Sequence, residues 1–454
     1  MTKPLNSSFR DPSGYVFIKG ESVFRRINKS YLENYGSLIK SGLYDKLISL
    51  GYLVKHRETE RTDTYITIQP EKIPFISYPY EWCFSMLKNA ALLTLDIQKI
   101  AMEYNMSLKD ASAFNIQFTE GKPILIDTLS FEKYEAGKPW IAYKQFAEHF
   151  LAPLTLMSMT DARLNRLSSL FIDGVPLDLT SKLLPFSSKL RPSILFHIHA
   201  HAKGQKNLSE KKLSSKQIQS FSKQAFLGLL DNLEGVIRGL SWKPKGTEWA
   251  DYTDTGFHNY EDTALQQKSQ IIRKIIKRTK PKTVWDLGAN TGRFSRIAAE
   301  DGAFVLSFDF DYGALEKNYL EVVSKKEKNI LPLFLDLTNP TPSIGWANEE
   351  RLSLFRRGPT DLVLALALIH HLSISKNIPL NFVALLFSQI SKNLIIEFVP
   401  KEDSQVQRLL QNRKDIFVDY NRKGFENAFN EFFNIKEAIS LSQSKRIIYL
   451  MEKK

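Results

Sequence analysis

From about Lys268 onward the chain alternates short apolar runs with helix-like text, and this rhythm constrains its fold more than any other feature. The runs are "TVWDLG", "FVLSFD", "ILPLFLD", "DLVLALAL" and "LIIEFV", each closing near a polar or acidic residue. Continuous apolar runs of this kind suit strands buried on both faces, as in a parallel sheet covered by helices. A helix-like "SQVQRLLQNRK" and two more strand-like runs, "FFNIKEAISL" and "KRIIYLME", follow. Open sheets of this class bind ligands beyond the carboxyl ends of their strands, so the candidate site residues stand there.

The first such edge reads "VWDLGANTGRFS", Val284 to Ser295, a strand running through a glycine turn into a helix. Gly288 and Gly292 supply backbone freedom, and Asn290 is a residue type that tolerates a left-handed backbone. The turn leads to the amide end of a helix, where a carboxylate or phosphate can be held. Asp309 ends the next strand, seventeen residues after Gly292, where a carboxylate can accept hydrogen bonds from ribose hydroxyls. Asp336 ends the third strand in "LFLDL" and could accept from an adenine amino group; Asp286, inside the first turn, suits a cationic centre. Singly, each acid also reads as a helix cap or turn residue.

This order resembles class I S-adenosylmethionine-dependent methyltransferases from about Lys268 to the C-terminus. The resemblance implies a Rossmann-like α/β domain over residues 266–454, mostly parallel and closed by an antiparallel C-terminal hairpin, with S-adenosyl-L-methionine as cofactor. Gly288, Asn290 and Gly292 would approach its methionine part, Asp309 the ribose and Asp336 the adenine, with Asp286 beside the amino group or sulfonium. Asn290 departs from the glycine common at that place. A dinucleotide dehydrogenase shares the turn and the second-strand acid, but is expected to carry a separate catalytic domain after the sheet.

His370 and His371 follow the fourth strand in "ALIHHL", and Glu397 ends the fifth; each is a candidate to take a proton from the acceptor. A purely structural role is an equal alternative, because positioning can suffice for transfer from a sulfonium. The preceding segment "WADYTDTGFHNYEDTALQQK" offers Tyr252, His258, Tyr260 and Lys268 as cover for cofactor or acceptor.

Residues 1–205 read as α+β, and 206–265 as a basic linker and helical connection. A hairpin is predicted in "GYVFIKGESVFRRI" and a long helix over Tyr80–Asn105. In "LKDASAFNIQFTEGKPILIDTLSF", Asp110 and Asn115 stand five apart and Asp127 follows after a turn. That layout resembles the catalytic loop and metal-binding Asp of kinases, which would make Asp110 a base and Asn115 and Asp127 ligands of the Mg²⁺ of Mg-ATP. The departures are a single glycine in "DPSGYVF" and Arg25 or Arg26 in place of a strand lysine. A role in selecting the acceptor is the leading expectation for this half, with a kinase or nucleotide-binding pseudokinase as the alternative. The arrangement as a whole resembles bacterial proteins labelled methyltransferases or nodulation-related host-specificity proteins.

The chain has 454 residues and a formal net charge of +13, which is compatible with an anionic partner such as nucleic acid. The basic stretches Lys203–Lys216 and Arg273–Lys282 interleave no aromatics, so no base-stacking motif supports that partner, and a glycan or other small acceptor is favoured over RNA or protein. Cys83 is the only cysteine, expected in the core; it excludes an internal disulfide and suits a cytoplasmic protein. No run approaches the roughly 18 apolar residues of a membrane span. "HIHAH" sets His197, His199 and His201 at alternate positions, but its helix-like context argues against a metal site, and none is expected.

Overall fold

The computed structural model describes residues 4–202, 222–244, 262–411, 413–442 and 444–454. Two compact units divide the chain: Met1–Lys243 with Ser343–Arg351, and Pro244–Pro342 with Leu352–Lys454. Of the span 206–265 read as a connection, the helix Lys223–Gly239 belongs to the first unit, and 206–221 and 245–261 lie outside the described residues.

The first unit opens with β1 (Gly14–Lys19), β2 (Ser22–Asn28), β3 (His56–Arg61) and β4 (Tyr65–Pro70), an antiparallel sheet in the order β1-β2-β4-β3. The predicted hairpin is β1–β2, and Gly20 at its tip takes a left-handed φ of 62°, which a two-residue turn between twisted strands requires. Ile27, Ile66 and Ile68 pack with Tyr31, Tyr35 and Leu129 on the inner face of this sheet.

The predicted long helix spans Phe84–Glu103, with Cys83 buried at its N-cap. Helix Lys223–Gly239 lies along it, capped by the Ser222 hydroxyl, with Lys99 paired to Asp231 and Glu234. Four short strands follow the long helix: β5 (Met106–Leu108), β6 (Ile116–Thr119), β7 (Lys122–Leu125) and β8 (Phe131–Lys133). β6 and β7 form a hairpin, and β5 pairs antiparallel with β8. The segment Ser343–Arg351 is held in this unit by Arg10, whose Nη2 donates to Glu350 Oε2 at 3.0 Å, and by Arg351, whose guanidinium sits 4.5 Å above the Phe114 ring.

"HIHAH" is helical, and two of its histidines are fully engaged. His197 bonds Tyr143 Oη at 2.7 Å and Asn232 Oδ1 at 2.8 Å; His199 bonds Ser181 Oγ at 2.7 Å and Ser188 Oγ at 2.8 Å. Rings with both nitrogens so occupied are core polar groups. Among the described residues no group of three or more His, Cys, Asp or Glu is placed to hold a metal ion.

The second unit is built on seven strands: β9 (Thr283–Leu287), β10 (Phe304–Asp309), β11 (Ile330–Phe334), β12 (Thr360–Ala365), β13 (Ser391–Phe398), β14 (Phe433–Ser440) and β15 (Ile447–Lys453). Their order is β11-β10-β9-β12-β13-β15-β14. The first five are parallel, and β15 runs antiparallel between β13 and β14, so the predicted closing pair is present with its last strand on the inside. Val284, Val305, Leu362, Leu364, Ile395 and Ile448 form the sheet side of one core, against Ile272, Ile276 and Ile297 of the helices Asp262–Thr279 and Arg293–Glu300. The chain steps outward from β9 to β11 and returns to place β12 on the other side of β9. That reversal makes the β9/β12 edge the switch point where such sheets open a crevice. Among the described residues no helix is long and apolar enough to cross a membrane.

Candidate functional site

The glycine turn leaves β9 at this switch point. Gly288, Asn290 and Gly292 take positive φ angles of 77°, 52° and 81°, so the left-handed backbone expected at Asn290 is present. The amides of Gly288 and Ala289 both donate to Phe308 O of β10 at 2.9 Å, which folds the turn back over the neighbouring strand. A β-carbon on Gly292 would lie 2.5 Å from Asn318 Oδ1, inside contact distance. One on Gly288 would meet only Leu368 Cδ1, at 3.5 Å, so the turn presents a bare, open backbone at Gly288.

Asp309 closes this arrangement from the end of β10. Its Oδ2 accepts the Asn290 amide at 2.7 Å and its Oδ1 accepts the Asp311 amide at 2.8 Å. Capping of the helix Tyr312–Lys325 falls to Asp311, whose Oδ1 accepts from Gly313 and Ala314, so Asp309 is not a helix cap. Burial pushes the Asp309 carboxyl up to about 6, against the amide bonds that favour its ionised form.

Asp286, at the end of β9, is also buried. Its Oδ2 accepts from the Ser295 hydroxyl at 2.6 Å, and burial raises its carboxyl to about 6 in spite of that bond and of nearby Lys268. Ser295 Oγ lies 2.9 Å from Ser307 Oγ, to which Asn318 Nδ2 donates at 2.8 Å. This chain ties the turn to its helix and to β10. Ser295 and Asp286 both stand in the glycine-turn motif, but Ser307 lies 12 residues beyond Ser295 and Asn318 a further 11, with no local signal to link them to the turn.

Asp336 follows β11 at the same edge of the sheet, partly exposed. Its Oδ1 accepts from the amide of Thr338 at 2.9 Å and from its hydroxyl at 2.7 Å, the turn-forming use of an aspartate.

The three candidate proton acceptors divide. Glu397 is completely buried at the end of β13 and engaged by two cations, Lys268 Nζ at 2.6 Å and Arg446 Nη1 at 3.5 Å. Arg446 makes a further two-pronged pair with Asp403, at 2.7 and 3.0 Å. A carboxylate held by two cations is a poor base. His370 is 1% exposed, with its ring 4.2 Å from that of His371, and its Nδ1 has no hydrogen-bond partner among the described residues. Burial, with the positive charges of Arg446 and Lys268 nearby, holds His370 well below the ordinary imidazole value and His371 at about 4, so both are neutral near pH 7. Of the segment before the turn, Lys268 is in the helix Asp262–Thr279; Tyr252, His258 and Tyr260 lie outside the described residues.

In the first unit, Asp110 follows β5, Asn115 precedes β6 and Asp127 follows β7. Asp110 Oδ1 accepts the Ser112 amide at 3.0 Å, and Asn115 Nδ2 reaches Ser130 Oγ at 3.4 Å. Asp127 caps Leu129 and pairs with Arg25 of β2 at 2.7 Å, while burial holds its carboxyl above the ordinary value. Arg25 also reaches Asp11 at 3.7 Å, so the guanidinium occupies the ground between these two acids.

No protein-family model matches the chain. It is 36% identical over 458 residues to the nodulation protein NoeA of Rhizobium meliloti (strain 1021), covering 98% of this chain and 95% of that one. Among solved structures, a S-adenosylmethionine-dependent methyltransferase from Clostridium acetobutylicum ATCC 824 is 13% identical, with a TM-score of 0.33, over 44% of this chain and 96% of that one. Magnesium protoporphyrin IX methyltransferase from Synechocystis PCC 6803 with bound SAH is 15% identical, with a TM-score of 0.31, over 45% and 98%. Superpositions of this extent leave the functional reading to rest on the site's own residues.

Proposed function

The chain belongs to the family of the nodulation protein NoeA, and from that premise we propose that it is an S-adenosylmethionine-dependent methyltransferase acting on an oxygen or nitrogen of its acceptor. One observation carries the reading: the Asp309 carboxylate holds the amide of left-handed Asn290, beside the bare backbone of Gly288, at the switch point of a mostly parallel sheet. Residues of this chemistry fit the cofactor. Gly288 leaves room for its backbone-like amino-acid end, Asp309 offers carboxylate oxygen to a ribose, and buried Asp286 offers negative charge to an ammonium or sulfonium. When bound, S-adenosylmethionine supplies an electrophilic methyl group.

The chain's own groups would then position the acceptor, whose proton passes to solvent as the methyl group is transferred. His370, buried and neutral, is the group we assign to accept a hydrogen bond from the acceptor at Nδ1 and orient it, its lowered basicity suiting positioning rather than proton removal. Glu397 is assigned to hold Lys268 and Arg446 in place rather than to act as a base. A glycan or other small molecule is the favoured acceptor, because the basic stretches carry no stacking aromatics of the kind that hold single-stranded nucleic acid. Selection of that acceptor is assigned to the first unit. Titration calorimetry with S-adenosylhomocysteine and with NAD tests the cofactor: binding of the former alone is expected, and its absence overturns the reading.

A nucleotide-binding first unit is a second reading, favoured by Asp110, Asn115 and Asp127 all flanking the β6–β7 hairpin. The Arg25–Asp127 pair favours binding without phosphotransfer, since a magnesium ion at Asp127 would have to displace the guanidinium. Binding of Mg-ATP that Asp127→Ala abolishes would support this reading; failure of the wild type to bind Mg-ATP would remove it.

A further inference from the structure

We propose that the stretch Leu183–Phe196 of the first unit docks on an anionic lipid surface. Five large apolar side chains stand outward along it: Phe186 and Leu190 at 73% exposure, Phe196 at 62%, Leu195 at 44% and Leu183 at 38%. Apolar groups concentrated like this, rather than scattered singly, mark an interaction surface.

The stretch is fixed rather than loose. Leu184, Ile194 and Ile198 are buried beneath it, and the Ser188 hydroxyl is held 2.8 Å from His199 Nε2. The backbone is therefore anchored from below while Phe186, Leu190 and Phe196 project.

Charge selects the occupant. Lys182, Lys189 and Arg191 are exposed on the same stretch, and Lys189 Nζ lies 5.5 Å from the centre of the Phe186 ring. Between Asp178 and Glu210 the chain has no Asp or Glu at all. Lys182 reaches Asp178 at 3.8 Å, which leaves Lys189 and Arg191 as the cations aimed outward with the apolar groups. A second copy meeting this face about a two-fold axis would set those cations against their own images, which is repulsive. A bilayer surface bearing anionic headgroups accepts both components, the aromatic and leucine side chains at the acyl boundary and the cations at the phosphates.

Co-sedimentation of the full chain with vesicles tests this, using phosphatidylcholine alone and phosphatidylcholine mixed with phosphatidylglycerol. Binding is expected only to the mixed vesicles, weakening as salt is raised. Phe186→Ser with Leu190→Ser should weaken it by at least about tenfold. Lys189→Glu with Arg191→Glu, wholly on the surface, should weaken it by about tenfold or more. Circular dichroism and melting temperature confirm that both variants fold, and the charge variant serves alone if the apolar one does not. No binding to the mixed vesicles, equal binding to both kinds, or binding that survives both pairs of substitutions overturns the proposal. So does a wild-type dimer that Phe186→Ser with Leu190→Ser converts to monomer, since a second copy would then be the occupant.

Discussion

The Asn290 amide donates to Asp309 Oδ2 at 2.7 Å, joining the left-handed centre of the glycine turn to the acid at the end of the adjacent strand. The same carboxylate receives a second amide from Asp311 on its other oxygen. Asp309→Ala therefore removes the group that shapes the turn as well as the charge proposed to meet the cofactor. With charge-assisted bonds contributing ~1.5–3 kcal/mol each, S-adenosylhomocysteine affinity should fall by about a hundredfold. Calorimetry measures this directly, and Asp127→Ala, in the other unit, should leave the affinity unchanged.

The pH dependence of that binding follows from the two buried acids. Asp286 and Asp309 are both raised to about 6 by burial, and a ligand with a positive amino group favours their ionised forms. Affinity for S-adenosylhomocysteine is expected to be full at pH 7–8 and to decline as the pH falls through about 6. A profile flat from pH 8 to pH 5 would contradict this assignment of charge to the site.

The same shift makes a stability prediction of opposite sense. An acid raised by folding is protonated more readily in the native than in the unfolded chain, so its ionisation opposes folding. For Asp286 the penalty is absent below the unfolded value near 4 and complete above about 6, on the order of 3 kcal/mol. Asp286→Asn, which keeps an acceptor for the Ser295 hydroxyl, should melt higher than the wild type at pH 8 and equally at pH 4. An equal difference at both pH values would mean that charge burial is not its cause.

The two glycines of the turn predict separable defects. Both have a positive φ, so alanine at either costs about 1–2 kcal/mol in backbone strain. At Gly292 the new β-carbon also meets Asn318 at 2.5 Å, and the variant should lose further stability; at Gly288 it meets only Leu368 at 3.5 Å. Gly288→Ala is therefore expected to melt higher than Gly292→Ala while binding S-adenosylhomocysteine poorly. Melting curves paired with calorimetry separate the two.

What could be read from the sequence follows how local each signal is. The strands were legible because buried parallel strands are apolar on both faces, as "DLVLALAL" and "LIIEFV" are, and the turn because Gly288, Asn290 and Gly292 fall within five residues. Asp309 was legible by its place at a strand end. Its bond to Asn290, the use of Asp336 to fix Thr338, and the pairing of Glu397 with Lys268 were not, because geometry across elements decides which way a carboxylate turns. Lys268 and Glu397 are 129 residues apart, and nothing in either neighbourhood marks them as a pair. The alternation in "HIHAH" would put its histidines on one face only if it were a strand; as a helix it sends His197 and His199 to different partners.

His370 and His371 are predicted to stay neutral over the whole physiological range. Burial with cationic neighbours holds both down, His371 at about 4. In nitrogen-15 spectra of histidine-labelled protein, neither imidazole should titrate between pH 6 and 8, while a solvent-exposed histidine would move through its midpoint near 6.5. A midpoint above 6 assigned to His370 through His370→Gln would mean the ring is solvated, and would remove the case for it as a buried neutral hydrogen-bond acceptor.

The Lys268–Glu397 pair has side chains only 3% and 0% exposed, so each ion offsets part of the solvation that the other has lost. Removing one partner takes a buried counter-charge from the other, and Glu397→Leu alone should destabilise the second unit by ~3–5 kcal/mol. Lys268→Met with Glu397→Leu replaces both by apolar groups and should recover much of that loss, with Arg446 still held by Asp403. Denaturant unfolding of the wild type, both single variants and the double variant gives the coupling energy. If the pair served only packing, the losses would add; strong non-additivity, with the double variant more stable than Glu397→Leu, is the expected outcome. The same set tests the role assigned to Glu397, because a carboxylate that only holds Lys268 and Arg446 in place can be replaced together with Lys268 while S-adenosylhomocysteine binding persists.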